Sequence, residues 1–521
     1  MGELKEKSYD ELVNLVTSLQ KEIKELSSEY EKLENENEQL KLVIAMKNAR
    51  TFKPKSESID KEEITLFNFN EIEANASTSL NEETRALETK KPRKAKAKNH
   101  EGIDFESMVS ETVIHEDHKC DHETKLISED ITYKAEVKMD IRIIKHIFKT
   151  RKCDTCSKVN TPIRDFPFSH SIATPSLVSY IANEKFFMGT PLYRQENAFL
   201  NAGFPISRVN LSNYLMKAAA LIKPFYVYLK HLLIHNKTSV IHADETTLKV
   251  INVGHKAKRD KSYIWMYASS IYDAPIYIYE YRYSRSGAWP RDFLKDYKGY
   301  LVVDDYAGYN HIPNVTLQKC FVHAKRKFVD IYKANKDPKL LEIIDLADKI
   351  FKAERGFRDN KLSPKDIHHR RNQKSYLKLL DGYFNHLKQT HYSPNSVTGK
   401  AVAYSLKLER ELKTYLKSGH IPIDNNLAER GVKPFVINRK NFLFSNTEKG
   451  ARASTILMSI ITTAKTNGLD TYKYLAYLMD ELYKLDLYQS QLTIEQLEKM
   501  NHLLPWKDKI KSMFKVKEVA R

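Results

Sequence analysis

Asp244 in SVIHADETT, Asp304 in YLVVDDYAGYN and Glu429 in IDNNLAERGVKPF are three carboxylates, each at a different kind of structural position. SVIHA is a short β-branched and apolar run, and LKVINV follows the acid, so Asp244 falls on a strand. Tyr300 to Val303 form another such run and deliver Asp304 at a strand end. Asp424, Asn425 and Asn426 are good N-cap residues, which puts Glu429 near the first turn of a helix. Two strand carboxylates and one helix carboxylate can converge on a pair of divalent cations. Hard Mg²⁺ (or Mn²⁺) takes oxygen ligands and leaves positions open for phosphate oxygens and water. Such a two-metal site activates the attacking oxygen and stabilises the leaving oxygen of an in-line phosphoryl transfer. The plain alternative for any one of these acids is a solvated surface group, since 29% of the residues are charged.

The flanking motifs are more specific than the acids alone. PLYRQENAFLNAGFPISRVNLSNY, HADETTLKV, WMY, DDYAGYN, CFVHAKRKF, SPNSVTGKAVAYS, IDNNLAERGVKPF, NRKNFLFSN and TAKTNGLD occur in this order. They resemble the bacterial DDE transposases of insertion sequence family sixty-six, the TnpC type, and the likeness runs from about Thr51 to about Leu482. The resemblance implies a multidomain α+β protein. Its RNase H-like mixed α/β catalytic core would carry an all-helical insertion, preceded by an N-terminal coiled coil, a small zinc-binding β module and a helical DNA-binding region. It also implies that Asp244, Asp304 and Glu429 are catalytic and bind Mg²⁺ or Mn²⁺. Asp305 stands where the family has glycine, and the motif aligns on Asp304 without a gap. The implied reaction is cleavage at insertion-sequence ends followed by attack of the freed 3′-OH on target DNA. Two alternatives stay open: an RNase H-like nuclease without strand transfer, and a DNA-binding regulator with inactive acids. Small accessory transposition proteins are implied as partners.

Composition agrees with a polyanion partner. The 521 residues carry 85 Lys and Arg against 67 Asp and Glu, a net charge of +18, which favours DNA. No apolar run approaches the ~20 residues of a membrane-spanning helix. The start, MGELKEKSYDEL, has no apolar signal region. Four cysteines in so long a chain argue for a reducing compartment. The expected location is the bacterial cytoplasm, at the nucleoid.

The elements that must position the acids begin with a heptad repeat over residues 8–48. Leu12, Leu19, Leu26, Leu33 and Leu40 recur every seven residues, and Val16, Ile23, Tyr30, Asn37 and Ile44 occupy the other seam position. Leucine at d, β-branched residues at several a positions and one polar Asn37 favour a parallel homodimer. The alternative is a helix packed on its own chain. Residues 58–104 turn polar and end in TKKPRKAKAKNH, a basic linker without a core pattern.

Residues 112–165 form a zinc-finger-like module. Cys153 and Cys156 have the C-x-x-C spacing that lets two thiolates reach one tetrahedral Zn²⁺. The family carries a second such pair upstream; here Cys120 remains and Glu123 replaces its partner. Cys120, His122, Cys153 and Cys156 are the expected ligands, with His118 as substitute, against a metal-free hairpin as alternative. By resemblance the module reads DNA ends.

Residues 172–236 read as helical, with Thr174 and Pro175 as cap and first residue and a break at Gly203 and Pro205 before Ser207 opens a second long helix. This pair is compatible with helix-turn-helix, with Arg194 and Arg208 as DNA contacts, or with an ordinary brace for the core. The core spans 237–468, with a helical insertion at about 334–420 and a helical tail at 469–521. In an RNase H-like sheet the first and fourth strands are neighbours, which brings Asp244 to Asp304. His323 and Arg326 share a helix face after the last strand. His323 is a candidate to touch the scissile phosphate or hold an acid in place. By resemblance the Glu429 helix faces DNA, which makes Arg430, Lys433, Arg439 and Lys440 phosphate contacts. Lys433 also has the favourable spacing for an ion pair with Glu429. His368 to Arg371 form a further basic cluster suited to phosphate.

Overall fold

The computed structural model describes residues 9–51, 112, 141–152, 159–161, 163, 165–168, 171–253, 261–487 and 492–516. The chain divides into two compact units, and the first, Met1–Phe52 with Phe148–Lys515, holds the elements discussed below. Cys120, His122, Cys153 and Cys156 lie outside the described residues, as does the basic linker.

The centre is a five-stranded mixed sheet. Strands β1 (Val240–Leu248), β2 (Ser262–Ser269) and β3 (Tyr277–Arg282) form an antiparallel meander. β4 (Gly299–Val303) then joins the other side of β1 in parallel, and β5 (Val315–Lys319) pairs in parallel with β4. The order is therefore β3-β2-β1-β4-β5. First and fourth strands are neighbours, with His242 opposite Val302. Ile264 to Ala268 on β2 are buried without a break, so both faces of the sheet are covered.

Among the described residues, four helices precede this sheet. α1 (Tyr9–Thr51) is the heptad segment. α2 (Pro175–Phe186) starts at Thr174, whose hydroxyl accepts the Leu177 amide at 3.2 Å. α3 (Leu192–Asn201) leads through Gly203, at φ +78°, to α4 (Arg208–Ile234), capped by Ser207. The sequence reading treats residues before Gly203 as one helical stretch; the structure breaks it at 187–191, between α2 and α3.

On one face of the sheet, α5 (Ala288–Phe293) stacks Phe293 on Tyr267 with centroids 3.7 Å apart. After β5 the chain enters α6 (Phe321–Asn335), then the expected helical excursion: α7 (Lys339–Asp359), α8 (Pro364–Arg371), α9 (Lys374–Gln389) and α10 (Val397–Lys407). Phe321, Phe328, Ile343, Ile350, Leu380 and Tyr383 belong to the buried cluster that joins α6 to this excursion. Arg371 corrects the phosphate-contact reading of its cluster. It is 3% exposed, pairs with Glu354 at 2.7 Å, and donates to the carbonyls of Tyr415, Ser418 and Ile421. It thus fixes the segment that returns the chain to the sheet.

The return segment feeds α11 (Asn426–Phe442), then α12 (Glu448–Thr466) and α13 (Thr471–Leu485). α12 satisfies the edge strand β3, since Ser459 and Thr463 hydroxyls accept the amides of Tyr279 and Tyr277 at 2.8 and 3.0 Å. α11 lies tight on the other face at Gly431, where a Cβ would come within 2.7 Å of the Met266 methyl.

α1 follows in part the reading of a helix packed on its own chain. One face docks on its own chain: Leu42 and Met46 pack on the α6–α10 cluster, and Gln39 Oε1 accepts the Val397 amide at 3.0 Å. The heptad seam is a different face and stays open, with Leu19 47%, Leu26 61%, Leu33 59% and Leu40 63% exposed.

Candidate active site

β1 carries Asp244 in mid-strand, Asp304 follows the last residue of β4, and Glu429 sits in the first turn of α11. Parallel pairing of β1 with β4 brings the first two together from distant parts of the sequence. Asp244 points to the sheet face on which α11 lies, because its cross-strand partner is Met266, the residue against Gly431.

The third acid is delivered by polar ties to β1. Asn425 occupies the N-cap position of α11 without capping it. Its amide group turns instead to β1, where His242 Nδ1 lies 3.0 Å from Oδ1, and Nδ2 donates to the Ala243 carbonyl at 2.9 Å. The Asn425 backbone amide donates to Cys320 Sγ at 3.3 Å, and Asp424 Oδ1 accepts the Asn426 amide at 3.1 Å. Burial pushes the His242 imidazole down to about 4, so the ring is neutral and Nδ1–H is the donor.

The carboxylates feel one another. Burial, then the charge of Glu245 and those of Asp304 and Glu429, push Asp244 up to about 7, against the Glu245 amide that donates to Oδ1 at 2.8 Å. Asp304 Oδ1 accepts the Tyr306 amide at 3.0 Å, and Lys319 Nζ reaches the Asp304 carbonyl at 3.0 Å. The neighbouring Asp305 carboxylate turns to Lys319, 3.7 Å away. Asp304 is thus the member of the pair whose side chain is tied into its own loop.

His323 and Cys320 flank Glu429. His323 Nε2 is 3.9 Å from Glu429 Oε1, and one ligating atom each of Cys320, His323 and Glu429 lie within 4.8 Å of one another. Burial pushes the Cys320 thiol up to about 12, which leaves it protonated and a poor ligand for a hard cation. Glu429 Oε1 and His323 Nδ1 are buried without a hydrogen-bond partner. An orphaned carboxylate oxygen beside a carboxyl held up by burial and by its acidic neighbours is a donor set that fits a divalent cation.

Other sequence candidates fall in three places. Arg326, Arg430, Lys433 and Lys440 are exposed. Lys433 does not take up the pairing its spacing allows: the ion-pair contact recorded for Glu429 is His323. Arg439 is committed to β1, donating to the Thr246 and Thr247 hydroxyls at 3.2 and 2.7 Å and to the Thr247 carbonyl. It braces α11 rather than reaching outward. Arg194 is exposed in the first turn of α3, and Arg208 is exposed at the start of α4, where its amide donates to Glu196 at 2.8 Å. His242, Glu245, Arg285, Tyr306 and Tyr309 were not singled out by sequence, and Asn425 was read only as a helix cap. The signal was adjacency, since four of them lie inside the motifs SVIHADETT and DDYAGYN.

Residues 170–453 match the family model described as "Transposase IS66 family". Three uncharacterized proteins of Sinorhizobium fredii are similar. y4jD is 29% identical over 351 residues, covering 64% of this chain and 66% of that protein. y4hP is 26% identical over 396 residues, with shares of 70% and 67%. y4qI is 26% identical over 321 residues, with shares of 58% and 59%. The matched stretches thus span about two thirds or less of these relatives' length.

Proposed function

The chain belongs to the IS66 transposase family, and from that premise we propose that it is a DDE transposase with an RNase H-like core, which cuts insertion-sequence ends and joins the freed 3′-OH to target DNA. The observation that carries this reading is the convergence of Asp244, Asp304 and Glu429 from β1, β4 and α11, with Asp244 held protonated to about pH 7 by burial and by its acidic neighbours.

Asp244, Asp304 and Glu429 would hold Mg²⁺ or Mn²⁺. When bound, the cations supply a lower pKa for the attacking oxygen and neutralise charge on the scissile phosphate. His323 Nε2 stands 3.9 Å from Glu429 Oε1 and would steady that carboxylate when the ring is protonated. Exposed Arg326, Arg430, Lys433 and Lys440 track backbone phosphates, a sequence-independent contribution that weakens as salt rises. Arg194 and Arg208 are the DNA contacts of the helix pair. The expected zinc module is proposed for end recognition, accessory proteins for assembly, and the open seam of α1 for a homodimer. No helix among the described residues is long and apolar enough to cross a membrane.

The test is a joining assay with matched end DNA, Mg²⁺ and the accessory proteins, comparing wild type with Glu429→Gln. Joined product from wild type alone supports the proposal. Nicking that never yields joined product favours a nuclease, and end binding without cutting by either protein favours a regulator.

A further inference from the structure

Beneath the loop that carries Asp304 lies a second polar cluster, on the opposite face of the sheet. Glu245 follows Asp244 on β1, so its side chain points away from α11. The register agrees, since Glu245 pairs with Trp265, whose ring meets that of Tyr309 at 5.6 Å. The Glu245 side chain is 2% exposed. Its Oε1 accepts Arg285 Nε at 2.8 Å and Nη2 at 2.5 Å, and its Oε2 accepts the Tyr309 hydroxyl at 2.5 Å.

Both partners lead to the same loop. Tyr309 ends the short helical turn Ala307–Tyr309 that follows the DDY sequence. Arg285 lies 3.9 Å over the Tyr306 ring, and the Tyr306 hydroxyl donates to the Arg285 carbonyl. The Tyr306 amide then donates to Asp304 Oδ1 at 3.0 Å. One buried carboxylate therefore grips the loop at two points, three residues apart, and the nearer point is hydrogen-bonded to Asp304 itself.

We propose that Glu245 is a positioning residue for Asp304: through Tyr309 and through Arg285 and Tyr306 it fixes the 304–309 loop so that the Asp304 carboxylate stays beside Asp244. It touches neither cation nor DNA. The Arg285 side chain is 43% exposed, so its pair with Glu245 is a modest source of stability. What a carboxylate anchored from two directions supplies is fixed geometry. Partners of this outer kind tune metal affinity by roughly 10–100-fold.

The inference rests on Asp244 and Asp304 being metal ligands, so its test reads metal binding apart from catalysis. Free Mn²⁺ is measured by electron paramagnetic resonance during titration of the full chain, for wild type, Glu245→Gln, Asp304→Asn and the double variant. The expected result is a roughly 10–100-fold weaker Mn²⁺ affinity in Glu245→Gln, with no further loss when Glu245→Gln is added to Asp304→Asn. End-DNA binding and thermal unfolding should stay near wild type. Tyr309→Phe, which keeps the carboxylate and removes one anchor, should show a smaller loss in the same direction and serves if Glu245→Gln fails to fold. Wild-type Mn²⁺ affinity in both Glu245→Gln and Tyr309→Phe, or an equal loss in the Asp304→Asn background, overturns the proposal. Mn²⁺ binding by wild type that Asp304→Asn leaves unchanged removes the metal-site reading instead, and the proposal falls with it.

Discussion

His242 on β1 and Asn425 at the start of α11 are hydrogen-bonded side chain to side chain at 3.0 Å, in a site where both are buried. This contact, with the Asn425 bond to the Ala243 carbonyl at 2.9 Å, sets where Glu429 stands relative to Asp244. Asn425→Ala removes both bonds and leaves the His242 N–H and a strand carbonyl unpaired. The expected cost is about 1–3 kcal/mol for each orphaned group, together with loss of joining activity while end DNA is still bound. Thermal unfolding beside a mobility-shift titration checks this; unchanged melting would remove the tie as the device that places α11.

Glu429 and His323 should separate by degree. Glu429→Gln keeps the shape and removes the charge of a proposed ligand, so joining should fall by more than the ~100-fold upper range for outer partners of a metal. His323→Ala removes only the neighbour at 3.9 Å and should cost roughly 10–100-fold. Single-turnover cleavage at saturating Mg²⁺ measures both. A His323→Ala loss as deep as that of Glu429→Gln would assign the imidazole a direct part in the chemistry.

The positions of the three acids in the fold were legible in the sequence because each is announced by local pattern. A β-branched run ends in Asp304, another contains Asp244, and an Asp-Asn-Asn turn opens the helix of Glu429. That the first and fourth strands are neighbours came from the resemblance to an RNase H-like family rather than from any local pattern, and the pairing of His242 with Val302 agrees with it. What sequence missed is set by tertiary contact. Asn425 looks like a helix cap and is used as a cross-link to His242. Arg439 and Arg371 look like phosphate contacts, and each is drawn inward by carbonyls that no local pattern reveals. Glu245 looks like a second surface acid beside Asp244, and only the sheet's alternation sends it to the buried face.

Lys185 gives a pH dependence away from the acids. Burial lowers its ammonium to about 8 from 10.5. Between those values the unfolded chain keeps a proton that the folded chain has released, so this residue makes stability rise with pH from about 8 to 10.5. Below pH 8 the cost of the buried charge is fully present, partly offset by the Phe442 ring 4.9 Å from Nζ. Lys185→Met should therefore stabilise by about 1–3 kcal/mol at pH 7, with the gain shrinking at higher pH. Denaturant unfolding at pH 7 and pH 10 tests the sign; a gain that does not shrink with pH would mean packing, not charge, is responsible.

The open seam of α1 predicts an assembly that leaves the chain's own docking face intact. Leu42, Met46 and Gln39 hold the helix to α6 and α10, whereas Leu19, Ile23, Leu26 and Leu33 lie on the other face and are exposed. A parallel partner helix would bury those leucines at d positions, where large-to-small replacement costs about 2–5 kcal/mol each. Leu26→Ala with Leu33→Ala should convert a dimer to monomer in sedimentation velocity without changing the melting of the core. Met46→Ala should instead loosen the helix from the core and leave the dimer in place. If the leucine pair leaves the sedimentation coefficient unchanged, the heptads serve another partner, and the docked face alone explains why this helix is retained beside α6.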